Sequence, residues 1–205
     1  MQFETRRLIL RDWYPNEDAR KAMDIYGDAR VMAWDEAGKK DASIRDVQWR
    51  LQAYAERARR SHDGLRNWAV VQKDIGRVIG TIELAALPDL EDVRKQHVPE
   101  AHEDGLETDY VEMSWYFRPA SWGYGYATEA AFCVAEYCFE VLGLSVLLAI
   151  ASPENTRAVA VMDKLGMRRD GFTTRRFGGE ALLLYLLSAS ELRMAKERWL
   201  KDFVA

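Results

Sequence analysis

The chain has 205 residues, 48% of them hydrophobic, and its 29 basic and 33 acidic side chains give a formal net charge of −4. This length and composition predict one globular domain with a substantial core. The negative charge argues against a nucleic-acid-binding protein, because such proteins bind by neutralising phosphates.

The sequence predicts neither export nor a membrane partner. Residues 1–13 lack the apolar stretch of a signal peptide, and apolar runs such as residues 181–187 are too short to span a bilayer. Cys133 and Cys138 lie five residues apart, so on a helix they point to different sides and predict no disulfide framework. We therefore expect a cytoplasmic protein.

The first half of the chain predicts a strand, two helices and a β-hairpin. Residues 5–13 alternate near their centre as a strand does. Residues 16–28 predict a short helix, and residues 41–61 a longer one whose apolar side chains recur at helical spacing. Residues 66–73 and 77–87 are two β-rich runs joined by the turn signal Asp-Ile-Gly.

Residues 88–109 interrupt this pattern with eight acidic and two basic side chains. Such a composition indicates a surface insertion, which either attracts a cationic ligand or serves only solubility. His97 and His102 lie within it beside glutamates, but no third ligand follows at a recognisable spacing. We therefore expect no metal site.

The second half of the chain alternates strands and helices. The predicted elements are strand 110–119, helix 127–142, strand 144–152, a helix from 155 to 166, strands 168–175 and 180–187, and helix 188–203. A helix between two strands requires a crossover, and crossovers join parallel strands, whereas the other neighbours are antiparallel. The sequence thus predicts an α/β domain with a mixed sheet of about seven strands and helices on both faces.

Two glycines open the predicted helix at 127, in the segment SWGYGYATEAA (residues 121–131). A helix N-terminus offers unpaired N–H groups and a positive dipole end, and glycines let a phosphate approach the backbone. Residues 123–128 are therefore a candidate anion site, although a tight turn is the simpler explanation of the glycines alone. The segment matches neither a Walker A loop nor a dinucleotide-binding turn.

Two segments in this order resemble the GCN5-related N-acetyltransferases (GNAT). They are RPASWGYGYATEAA after one strand and PENTRAVAVMDKLGMRRDG after the next, and with the opening ETRRLILRDW they resemble the family's Rim-type branch. That branch is similar to the ribosomal-protein N-terminal acetyltransferases. The resemblance covers nearly the whole chain apart from residues 88–109. It implies one GNAT-fold domain, residues 1–205, whose mostly antiparallel sheet contains a splayed parallel strand pair that forms a slot for acetyl-CoA.

The resemblance also implies which residues bind this cofactor. Its pyrophosphate is expected at the backbone amides of Gly123, Tyr124, Gly125, Tyr126, Ala127 and Thr128. The backbone of Trp115, Tyr116 and Phe117 is expected to bond the pantetheine arm, at a bulge that opens the slot. Asn155 either contacts the cofactor or caps its helix. Trp122 stands where the general family pattern has Gln or Arg.

An amine that attacks a thioester needs a base, an oxyanion donor and a route for the thiolate to leave. Glu112, on the polar face of strand 110–119, is the candidate base, and the alternative is an ordinary strand glutamate. Backbone N–H groups near residues 113–115 are the candidate oxyanion donors.

The general acid of the family is missing at both of its usual positions. Met162 replaces the tyrosine of many members, and Ala158 replaces the serine of many Rim-type members. Ser152, Thr156, Tyr116 or a water molecule would have to take its place, unless the CoA thiolate leaves without an acid.

The resemblance thus implies an acetyl-CoA-dependent N-acetyltransferase whose acceptor is a small amine or a peptide or protein N-terminus. Two alternatives stay open. One is a CoA-binding sensor or interaction module without turnover, and the other is an acyltransferase that uses a different acyl-CoA. Because dimers are common in the family, a homodimer through the last helix is open as well.

Overall fold

The computed structural model describes residues 1–35, 38–60, 62–87, 110–174 and 179–204. The predicted insertion 88–109, with His97 and His102, lies outside the described residues. The strands are β1 Gln2–Glu4, β2 Leu8–Arg11, β3 Asn67–Gln72, β4 Arg77–Ala86, β5 Val111–Phe117, β6 Leu147–Ala151, β7 Arg168–Thr173 and β8 Leu182–Leu187. The helices are α1 Pro15–Tyr26, α2 Ala29–Met32, α3 Ile44–Arg60, α4 Tyr126–Glu140, α5 Thr156–Lys164 and α6 Ala189–Val204. Of these helices, none combines the length and apolar character needed to cross a membrane.

All described strands form one mixed sheet in the order β1-β2-β3-β4-β5-β6-β8-β7. Neighbours are antiparallel except for β5 and β6, which are parallel. The predicted fold class is therefore confirmed. The sheet has one strand more than predicted because Gln2–Glu4 pairs with β2. Three half-exposed or exposed residues are too few for a recognisable strand pattern.

The parallel pair is splayed, since its ladder holds only where Glu112 lies opposite Leu148. On its other side β5 pairs with β4 from Val111 to Phe117 without a register shift. The bulge expected in β5 is therefore absent from this pairing, and the strands diverge without it. A short 3₁₀ turn, Pro119–Ser121, then leads from β5 to the glycine segment.

Helices cover both faces of the sheet, as predicted. On one face α4, α5 and α6 enclose the larger core cluster, and on the other α1, α2 and α3 enclose a second cluster. The alternation predicted for β5 is confirmed, because Val111, Met113 and Phe117 join the first cluster while Tyr116 packs against the second. The polar side chains of β5 therefore share the face that carries α1–α3.

The short helix α2, which the sequence did not predict, positions the segment that follows it. Asp28 caps the helix, and its Oδ1 accepts a hydrogen bond from the Arg30 backbone N–H at 2.9 Å. Val31 and Met32 are buried in the second cluster. This anchorage fixes Trp34 and Asp35 over the polar face of the sheet, beside β5.

Candidate active site

A cavity of about 770 Å³ occupies the opening between β5 and β6. That volume lies in the usual range of small-molecule sites, about 300–1,000 Å³. Every predicted site residue lines it except Tyr124, whose side chain is exposed. The lining residues among them are Glu112, Trp115, Tyr116, Phe117, Gly123, Gly125, Tyr126, Ala127, Thr128 and Asn155. The fold thus brings together one strand, the glycine segment and the start of a second helix.

The glycine segment presents a row of backbone donors. Gly123 and Gly125 have φ of +83° and +76°, and Gly125 is the N-cap of α4. None of the N–H groups of residues 123–128 donates to an acceptor in the described part of the chain. With the positive end of the α4 dipole behind them, these groups form a cradle for an anion.

The backbone, rather than space, explains the glycine at 125. A Cβ built there lies 3.6 Å from Arg7 Nη2, an ordinary contact, so it points towards Arg7. The sequence-based reason, that a Cβ would block the approach of a phosphate, stays a prediction for this position. Glycine is required because L-residues with a side chain rarely adopt this left-handed conformation.

Trp122 and Arg157 pack together at the wall of the cavity. The indole Nε1 donates to the Phe117 carbonyl oxygen at 2.7 Å, and the Arg157 guanidinium carbon lies 4.4 Å from the ring centroid. The position at which the general family pattern has Gln or Arg thus carries an aromatic ring with a cation stacked on it. Both residues line the cavity.

Asn155 serves as a helix cap and also lines the cavity. Its Oδ1 accepts a hydrogen bond from the Ala158 backbone N–H at 3.2 Å, which identifies it as the N-cap of α5. The capping interpretation of this residue is confirmed, and its place in the cavity wall keeps the cofactor contact as a prediction.

Glu112 lies where β5 and β6 begin to diverge. Its side chain is 9% exposed and lines the cavity. Two further carboxylates, neither of them predicted, line the same cavity: Asp35 after α2 and Glu83 on β4. Glu83 pairs with Arg57 at 3.3 Å. Strand alternation places Glu83 on the face of Glu112, so its signal was present, whereas Asp35 has no pattern that marks it.

The Tyr116 hydroxyl is hydrogen-bonded to one of these carboxylates. Its OH donates to Asp35 Oδ1 at 3.0 Å. Removal from water, and then the negative charge of Asp35, raise the pKa of Tyr116 well above its usual range. The hydroxyl therefore stays protonated at neutral pH. Of the three hydroxyl candidates for a general acid, Tyr116 lines the cavity, whereas Ser152 and Thr156 are not in its wall.

The positions of the usual family acids belong to the cavity but carry no acid. Ala158 and Met162 both line it, and Met162 is 1% exposed. Among the described residues no group of three or more His, Cys, Asp or Glu side chains is arranged to hold a metal ion.

Neither cysteine is expected to react in the native protein. Burial raises the pKa of Cys133 to about 11 and that of Cys138 well above its usual range. At pH 8 about one in a thousand Cys133 side chains is then a thiolate, the reactive form. Titration with a chromogenic disulfide should show slow modification of the native protein, faster as pH rises towards 11, and rapid modification in urea. A thiol that reacts fast at pH 8 in the folded protein would contradict the raised pKa of these cysteines.

The chain matches known acetyltransferases in sequence and fold. The sequence profile of the acetyltransferase (GNAT) domain matches residues 7–168. Two Bacillus subtilis (strain 168) relatives are uncharacterized N-acetyltransferases. YnaD is 44% identical over 61 residues, which are 30% of this chain and 36% of YnaD, and YoaA is 26% identical over 171 residues, 82% of this chain and 83% of YoaA.

The fold is shared with solved structures at low sequence identity. RimJ of Mycobacterium smegmatis, solved in complex with CoA-disulfide, has a TM-score of 0.69 at 18% identity, over 90% of this chain and 83% of that chain. The sheet order, the splayed parallel pair and the profile match lead to one conclusion. The chain belongs to the GNAT family and is an acetyltransferase.

Proposed function

We propose that this protein transfers an acetyl group from acetyl-CoA to a primary amine, with both bound at once. Acetyl-CoA is the donor that the GNAT family uses. The proposal rests chiefly on the N–H row of residues 123–128, which lies at the mouth of a slot between two diverging parallel strands. Acetyl-CoA supplies an activated acetyl thioester when it is bound.

The residues present fit this cofactor. A diphosphate matches the N–H groups of residues 123–128 in charge and in donor number. Beyond Glu112 the edge of β5 that faces β6 is not paired with it, so the backbone groups of residues 115–117 on that edge are proposed to bond the amide groups of a pantetheine arm. The Phe117 carbonyl already accepts a hydrogen bond from Trp122 Nε1. Asn155 lines the same cavity and is proposed to contact the cofactor.

Glu112 is proposed as the base that takes the proton from the attacking ammonium group, directly or through a water. It lies at the narrow end of the slot, where the two strands meet. The N–H groups near residues 113–115 are proposed to polarise the acetyl carbonyl. Tyr116 is proposed to stay protonated, because its pKa is raised, and to keep its hydrogen bond to Asp35.

The acceptor is proposed to be a small amine or a peptide or protein N-terminus. Asp35 and Glu83 line the cavity on the α1–α3 side together with Arg30, whose charge Asp28 offsets, and the two carboxylates favour an acceptor that arrives as a cation. The resemblance of the opening strand and the glycine segment to the Rim-type branch favours a peptide or protein N-terminus.

A CoA-binding module without turnover is the second candidate. The observation that favours it is the pair Ala158 and Met162, which places no acid at either usual family position. Cofactor binding alone is expected of such a module, with no release of CoA when an acceptor is added.

A CoA-release assay with acetyl-CoA and a panel of amines tests the proposed function. The panel contains N-terminal peptides, polyamines, amino acids and aminoglycosides, and released thiol is followed against a blank without acceptor. Release with one acceptor class is expected. Tight binding of acetyl-CoA by calorimetry without release for any acceptor would favour the binding module, and succinyl-CoA in the same assay tests the other acyl donor.

A further inference from the structure

Arg7, in the link between β1 and β2, contacts the glycine segment and is not part of the cavity lining. Its Nη1 donates to the Tyr124 carbonyl oxygen at 2.9 Å, and its Nε donates to Glu129 Oε2 at 2.6 Å. The guanidinium carbon also lies 4.5 Å from the centroid of the Tyr126 ring. The Arg7 side chain thus contacts the glycine segment and the first turn of α4 at three residues, Tyr124, Tyr126 and Glu129.

The bond to Tyr124 decides where the next amide points. A trans peptide is planar, so its C=O and N–H point in opposite directions. No peptide bond among the described residues is cis. Because Arg7 holds the Tyr124 carbonyl on the outside, the N–H of Gly125 points the other way, and Gly125 lines the cavity.

Glu129 places a negative charge near the proposed diphosphate site, and Arg7 offsets that charge. This carboxylate is 4% exposed and lies in the first turn of α4, beside the proposed diphosphate site. Uncompensated, its charge would repel an anion there. Its two oxygens accept hydrogen bonds from Thr5 Oγ1 at 2.6 Å, from the Arg7 N–H at 2.8 Å and from Arg7 Nε at 2.6 Å.

We propose that Arg7 is a positioning residue for the cofactor diphosphate. It aims the Gly125 N–H into the cavity, and it cancels the charge of Glu129 at the mouth of α4. This inference rests on the proposed function, and it assigns a task to the opening segment ETRRLILRDW, which lies far from the glycine segment in the sequence.

The test compares two ligands in an Arg7→Met protein, with binding followed by tryptophan fluorescence. Loss of charge-assisted hydrogen bonds is expected to weaken acetyl-CoA binding by about 10- to 100-fold. Affinity for S-acetyl-pantetheine, which has no diphosphate, should stay unchanged. Equal weakening for both ligands would indicate general damage and overturn the inference. The affinity of an Arg7→Lys protein for acetyl-CoA should lie between those of the wild type and the Arg7→Met protein.

Two further variants separate the parts of the inference. Lys73→Met is the matched control, since Lys73 Nζ holds the same link through the Thr5 carbonyl oxygen at 2.7 Å and does not touch the glycine segment. Its affinity for acetyl-CoA should equal that of the wild type. Adding Glu129→Gln to Arg7→Met should recover part of the affinity, because the repulsion is gone. Full recovery would overturn the positioning role, and no recovery would overturn the charge role.

The inference and the proposed function fail in different ways. If the wild-type protein binds neither ligand, the proposed function is wrong. If the wild type binds acetyl-CoA and Arg7→Met binds it equally well, the function stands and the role of Arg7 is refuted.

Discussion

A Gly125→Val protein is expected to bind acetyl-CoA at least about 100-fold more weakly than the wild type. The left-handed φ of +76° costs a side-chain-bearing residue about 1–2 kcal/mol, and a β-branched residue more. Relief of this strain rotates the segment and turns the Gly125 N–H away from the cavity. Each charge-assisted hydrogen bond lost adds about 1.5–3 kcal/mol. Calorimetric titration with acetyl-CoA measures the sum.

Gly143→Val is the matched control for this strain. Gly143 also has a positive φ, +68°, and a Cβ there meets no atom within 4 Å. It lies beyond the opposite end of α4, far from the cavity lining. This variant should lose a similar amount of thermal stability and keep its affinity for acetyl-CoA. An unchanged affinity in a folded Gly125→Val protein would refute the anion site.

A Glu112→Gln protein is expected to keep its affinity for acetyl-CoA and to lose about 100- to 1,000-fold in kcat. Glutamine preserves the shape of this buried side chain but cannot accept the proton of an ammonium group, and general base catalysis contributes about 10²–10⁴-fold. The loss should be largest at low pH, where the acceptor amine is protonated. A pH series of initial rates with a saturating amine measures it.

Glu83→Gln distinguishes Glu112 from its neighbouring carboxylate. Glu83 lines the same cavity but is engaged by Arg57. We expect this variant to raise KM for a cationic acceptor and to change kcat little. If Glu83→Gln instead reproduces the loss of kcat and Glu112→Gln turns over at the wild-type rate, the base has been assigned to the wrong carboxylate.

The parts of the fold with strong local signals could be predicted from the sequence. The strand at 110–119 alternates in its centre, from residue 110 to 117, and the strand at 144–152 is nearly continuously apolar. Both are confirmed in β5 and β6, and the helix between them dictates their parallel pairing. The glycines at the mouth of α4 followed from the same local reasoning, since only a left-handed backbone or a close approach needs them there.

What the sequence did not yield depends on contacts between distant segments. No residue near Arg7 in the sequence indicates that its side chain contacts Tyr124 and Glu129. These contacts depend on the pairing of β2 with β3 and on the position of α4 in the fold. Asp35 reaches Tyr116 only because a four-residue helix turns the chain before it. A short helix and a three-residue strand, such as α2 and β1, owe their form to tertiary contacts rather than to local propensity.

The single residue pair between β5 and β6 also separates the hydrogen-bonded ladder into a five-stranded part, β1–β5, and a three-stranded part, β6–β8. Side-chain packing beneath α4 bridges the divide, and so does any ligand that fills the opening. On the proposed function, such a ligand takes the place of the missing strand pairing, and at 100 times its Kd it adds about 2.7 kcal/mol to the free energy of unfolding. Resistance to unfolding therefore rises and falls with the supply of that ligand, and its loss leaves two facing strand edges open to pairing with another chain.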